Sequence, residues 1–233
     1  MVNHARIYRI MLFLGSVAFL SLIVVGLVRR ARSPGELMRV SSSYEPQVAA
    51  LIEGGDFDRA VAQLRLAERL DVPQNRKAIL LDLSKAASRA GDVENEIYAL
   101  RGLLGQEGVN VPKVCYDLSS TLLNREPSRA EDLRESIEKA DRSMRRIPGY
   151  PPALRNQGLA WLRLGDQHRA VRAFRECVDN ATRRIAAIEP LTTSRSTEPD
   201  RARLAREELA LVRTARNDSQ RELAKLEPVS GSP

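Results

Sequence analysis

Aromatic side chains are scarce in this chain, at 4% of residues, with a single Trp161. The core therefore rests on Leu, Ala, Ile and Val. With 29% charged residues, that mix suits helices with solvated faces better than a sheet. Histidine occurs only at His4, in the amino-terminal tail, and at His168, at the outer start of a helical segment. The two cysteines, Cys115 and Cys177, form no CxxC or zinc-type spacing, which excludes a disulfide framework and a metal knuckle. The stretch GLLGQEG at 102–108 lacks the Lys-Ser/Thr ending of a phosphate loop. With no nucleophile–base pair, metal cluster or cofactor fingerprint, the chain is expected not to be an enzyme and to need no cofactor. The formal charge of +7 admits nucleic acid, anionic lipid or acidic protein as partners and selects none.

Against this background stands one long apolar run, IMLFLGSVAFLSLIVVGLV, from Ile10 to Val28. At 1.5 Å per residue it would span roughly 28 Å as a helix, about one hydrocarbon core. Arg6 and Arg9 precede it; Arg29, Arg30 and Arg32 follow. The expectation is a single uncleaved transmembrane anchor, with a signal peptide or a buried helix as the other readings. The flanking charges lean towards a body on the cytoplasmic rather than the periplasmic side of a bacterial inner membrane.

Three Gly-Asp pairs punctuate the rest: GDFDRAVAQL from Gly55, GDVENEIYAL from Gly91 and GDQHRAVRAF from Gly165. Each ends one helical apolar pattern and begins another. Gly55 and Gly91 lie 36 residues apart, and Gly165 falls about two further units on; periods of this size signal a repeat array. In residues 151–184 the first helix carries Leu154, Gly158 and Trp161, and the second Ala170, Phe174 and Cys177. Residues 41–74 repeat the pattern with Tyr44, Val48, Leu51, Phe57, Ala60, Leu64 and Ala67, and residues 77–110 with Leu80, Leu83, Ser84, Ala87, Leu100 and Leu103, where Glu96 takes a small-residue position. Residues 112–148 offer Cys115, Leu118, Ser119, Leu122, Ser136, Ala140 and Ser143 around the longer turn NREPSRAED. Small residues at a crossing let two helices approach, and large ones fill the grooves beside it.

This unit resembles the tetratricopeptide repeat, a helix hairpin of about 34 residues. The resemblance implies an all-α fold: an N-terminal transmembrane helix, then a solenoid of about four hairpins, then a C-terminal helix. The expected organisation is a tail at 1–9, anchor 10–28, linker 29–40, solenoid 41–184, a loop region at 185–197, a capping helix at 198–227 and a tail at 228–233. Pro190 is expected to end the last hairpin, and Thr197 to cap the final helix. Its narrow apolar face also admits a coiled-coil contact.

The family's geometry places the first helices of the hairpins around a concave groove. On that basis the partner-binding candidates are Leu81, Lys85, Arg89, Lys113, Tyr116, Arg155, Leu159 and Arg163. They mix apolar and basic character, which suits an acidic and apolar segment of a protein partner; the other reading of the basic residues is a solvated face. Leu159 stands where the repeats that grip a chaperone's carboxyl terminus want an Asn, which argues against a clamp of that kind. The expected function is a membrane-tethered scaffold or adaptor that assists assembly of a membrane complex; the alternative is a permanent structural accessory subunit of one. Nucleic-acid binding is disfavoured, because aromatics are few and the arginines alternate with acids.

Overall fold

A computed structural model describes residues 34–69, 75–193 and 198–226. All regular structure there is helical: α1 (Pro34–Glu53), α2 (Phe57–Arg69), α3 (Arg76–Ala90), α4 (Val93–Leu103), α5 (Val111–Asn124), α6 (Ala130–Ser143), α7 (Pro151–Arg163), α8 (Gln167–Thr193) and α9 (Pro199–Leu226). The chain divides between Arg76 and Lys77 into two compact units.

The expected anchor at 10–28 lies outside the described residues. No helix among the described residues is long and apolar enough to cross a membrane. The expectations of a transmembrane helix in the fold, and of a single-pass location in the inner membrane, are corrected accordingly: the described fold is an all-α set of nine helices without a membrane span. The physical reason lies in composition. Each of the long helices α1, α8 and α9 carries charge, and α8 and α9 have one apolar face rather than an apolar circumference.

In the first unit α1 and α2 form a hairpin. α1 begins at Pro34, inside the segment expected as linker, and continues through Pro46. Tyr44, Val48 and Ile52 on α1 and Phe57, Ala60, Val61, Leu64 and Ala67 on α2 are buried.

In the second unit α5–α6 and α7–α8 are successive hairpins, and α3 and α4 meet across the Gly91 turn, where Gly102 faces Leu80. α4 packs on α5, α6 on α7 and α5 on α7, while α9 packs on both α8 and α7. Hairpins packed on one another in this way bury apolar stripes that a single hairpin would leave exposed. The Gly-Asp turns explain the sharp reversals. Gly91 and Gly165 have φ of 72° and 82°, a region that carries no steric cost only for a residue without Cβ. Asp92 then accepts the backbone N–H of Asn95 at 3.1 Å, and Asp166 that of Arg169 at 2.9 Å, so each acid caps the helix that follows it. The longer turn after α5 uses an ion-pair cluster instead. Arg125 donates to both oxygens of the buried Asp132 at 3.1 Å and to Glu94.

The small positions lie at the crossings. Gly158 on α7 faces the buried ring of Phe174 on α8. Ser119 and Ser136 meet between α5 and α6, their hydroxyls 3.0 Å apart, and the buried Asn156 donates to Ser120 at 2.9 Å. Cys177 is buried against Leu154 and Ala215, with Met144 beside them. Trp161 is half-buried beside Leu123, Leu133 and Ile137, and the Arg169 guanidinium lies over its ring at 4.5 Å.

Pro190 does not end α8; the helix runs on to Thr193. Proline lacks an N–H and crowds the carbonyl four residues back, a cost of about 3 kcal/mol in a helix interior. Here packing against α9 opposes it: Ala181, Ile185 and Ile188 bury against Ala205, Leu209 and Val212, and Arg184 pairs with Glu208 at 2.6 Å. Thr197 lies outside the described residues.

Candidate functional site

The groove of the second unit is built on α5. Asn110 accepts the N–H of Lys113 and so starts the helix at Val111. From there Lys113, Tyr116, Asp117 and Ser120 project to one side of α5, three or four residues apart. Three concavities adjoin that face. One of about 210 Å³ lies towards α3, beside Leu81 and Lys77. One of about 380 Å³ is lined by Lys85, Ser88, Glu96 and Thr121. One of about 620 Å³ opens towards the α6–α7 turn and α9. All three share Lys113 and Asp117, and Tyr116 lines the last two.

Four of the eight expected binding residues, Leu81, Lys85, Lys113 and Tyr116, thus come together. Lys113 donates to Asp117 at 2.7 Å, and Lys85 stands 3.9 Å from Asp82 with both side chains well exposed. The Tyr116 ring meets Tyr150 edge-on, centroids 5.8 Å apart. Burial raises both phenols above their ordinary value, Tyr150 to about 12, so each remains a neutral O–H donor at physiological pH.

The other four have different surroundings. Arg155 is half-buried and paired with Asp218 of α9, Nε to Oδ2 2.7 Å. Arg163 donates to the Leu123 carbonyl and to Ser128. Leu159 packs with Leu123, Leu133 and Ile137. Arg89 is exposed at the end of α3 and lines none of these concavities.

Sequence reading missed the acidic floor of the groove. Glu96, seen only as a departure from a small-residue position, sits there half-buried. Burial raises its carboxyl above the ordinary 4.5 and Asp117 adds to the rise, against hydrogen bonds with Ser88 and Thr121. It also missed Ile147, Tyr150 and Leu211. The signal for the first two was apolar residues in a turn, RRIPGY, where none is needed for helix packing. Among the described residues, no group of three His, Cys, Asp or Glu is arranged to hold a metal ion.

No protein-family model matches the chain, and no curated protein matches it. Among solved structures, two crystal structures of MamA are similar. One is 19% identical, covers 85% of this chain and 100% of the MamA chain, and has a TM-score of 0.44. The other is 16% identical, covers 76% and 95%, and has a TM-score of 0.41. A likeness this loose transfers neither a partner nor a role.

Proposed function

We propose that the protein is an interaction scaffold that holds a segment of a partner polypeptide in the groove along α3 and α5. The observation that carries this reading is the convergence of Leu81, Lys85, Lys113 and Tyr116 on three adjoining concavities that share one helix face. The groove combines aromatic and aliphatic walls with hydrogen-bonding groups from Ser88, Ser120 and Thr121, a mixture suited to side chains and backbone of an extended segment. Lys85, loosely paired and exposed, supplies charge for an acidic residue of the partner.

Photocrosslinking in intact cells tests this. A photoreactive residue at Leu81 or Tyr116 is expected to capture a polypeptide that is absent when the same residue replaces the exposed Arg134 on α6. The captured protein, purified, should bind the wild-type chain and bind Lys85→Glu less tightly. The same adducts from Arg134, or no polypeptide adduct from either groove position, would overturn the reading.

A further inference from the structure

α8 and α9 are 27 and 28 residues long, about twice the other helices of the second unit. Their outer halves close on each other through Ile185, Ile188, Leu209 and Val212 and extend past the start of α7. This overhang carries Leu211 to the edge of the 620 Å³ cleft, whose other walls are Pro112 and Tyr116 of α5 and Ile147 and Tyr150 of the α6–α7 turn. Among the described residues only four large apolar side chains are substantially exposed, and two of them, Ile147 at 39% and Leu211 at 46%, face this one cleft. Single exposed apolar residues are ordinary; two that converge on a concavity beside a tyrosine pair mark a place for an apolar ligand group.

Charge narrows the ligand. Lys113 and Arg146 stand at the rim. Lys113 is held by Asp117, whereas Arg146 is exposed and makes no ion pair among the described residues, as is true of its neighbour Arg145. An uncompensated guanidinium beside apolar walls favours a carboxylate brought up against it.

Resting on the groove reading above, we propose that this cleft seats one bulky aliphatic or aromatic side chain of a partner peptide. An Asp or Glu within two positions of that residue reaches Arg146. Leu211 of α9 completes this socket, so one of its walls lies outside the three repeated hairpins.

A random peptide library displayed on phage, selected on the immobilised full chain, tests it. The expected consensus is Leu, Ile, Phe or Met with Asp or Glu one or two positions away. Leu211→Gln and Arg146→Glu, both surface substitutions checked for unchanged circular dichroism, should each weaken a synthetic consensus peptide about tenfold. Exchanging the peptide's acid for Lys should restore binding to Arg146→Glu. A basic or wholly polar consensus, or binding indifferent to both variants, overturns the proposal. Peptides indifferent to both but lost with Lys85→Glu overturn the cleft and leave the wider groove reading standing; a selection that yields no consensus overturns both. A dimer of the full chain that Leu211→Gln dissociates would also overturn it, assigning the cleft to a second copy.

Discussion

Gly158→Ala tests the helix crossing on which the last hairpin depends. A Cβ at that position would lie 2.4 Å from Cε1, 2.5 Å from Cδ1 and 2.9 Å from Cζ of Phe174, where carbon atoms prefer about 3.5–4.0 Å. Phe174 is fully buried, so its ring has no open space to enter. Overpacking of this kind costs about 1–3 kcal/mol, and three ring atoms in conflict place it near the upper end. Alanine recovers about 1 kcal/mol of helix propensity over glycine. The net loss is then about 2 kcal/mol, which in a chain of this size lowers the melting temperature by about 4–8 °C. Circular dichroism at 222 nm, followed through heating and through urea, reads it. Phe174→Leu placed in the Gly158→Ala background should recover part of the loss, as coupled neighbours do. Gly102→Ala serves as the contrast: its Cβ meets the Leu80 methyls at 3.0 and 3.2 Å and Cγ at 3.7 Å, a conflict relieved by a shift of a few tenths of an ångström, so its midpoint should fall less than that of Gly158→Ala. An unchanged or raised midpoint for Gly158→Ala, or strict additivity with Phe174→Leu, would refute the packing argument.

Asn156→Ala should cost about 1–3 kcal/mol in urea titration, because it removes the buried amide that donates to Ser120 and leaves a gap between α5 and α7. Arg125→Ala should destabilise by about 3 kcal/mol, since Asp132, 6% exposed, would lose its bidentate partner with only Arg101 left at 4.0 Å; Asp132→Asn in the same background should recover part of it. Glu96→Gln gives a pH signature. A folded-state pKa raised above 4.5 means the native state holds this proton more tightly than the unfolded chain, so the contribution is fully present below 4.5 and is lost as pH rises through the folded value. The variant should match wild type below pH 4.5 and exceed it at pH 7; a variant equally or less stable at pH 7 would contradict the burial argument. Cys115 and Cys177 are buried free thiols raised by burial, Cys177 to about 11, so alkylation at pH 8 should be slow in the native protein and track unfolding in urea. Fast native labelling at either thiol would count against that burial.

Where local chemistry repeats, the fold could be read from the chain. The Gly-Asp turns carry both the positive φ and the following cap within two adjacent residues. The small positions Gly158, Ser119, Ser136, Ala170 and Cys177 are all buried at crossings or in the core between helices. The bounds of elements were harder to read. Pro190 reads as a stop, and only the apolar and ionic contacts that α9 makes with α8 oppose it. Pro34 reads as linker, yet α1 begins there. The apolar run at 10–28 implied a membrane span that no described helix provides.

The expected groove residues divide by their surroundings. Leu81, Lys85, Lys113 and Tyr116, expected from the resemblance to the repeat family, line adjoining concavities. Arg155 and Arg163 are expected to face the same groove, but Asp218, 63 residues further along the chain, and the Leu123 carbonyl take their donors. Nothing local to either arginine announces such a partner.

Hairpin by hairpin, then, the residues alone specify helices and turns, since these depend on spacings of a few positions and on backbone freedom at single glycines. The socket beside Arg146 was decided only in three dimensions. Pro112, Ile147, Tyr150 and Leu211 come from three separate stretches of chain, and what unites them is the packing that sets α9 beside the α6–α7 turn. α9 is held there by burial against α8 and α7, a non-local free energy that no window of sequence contains.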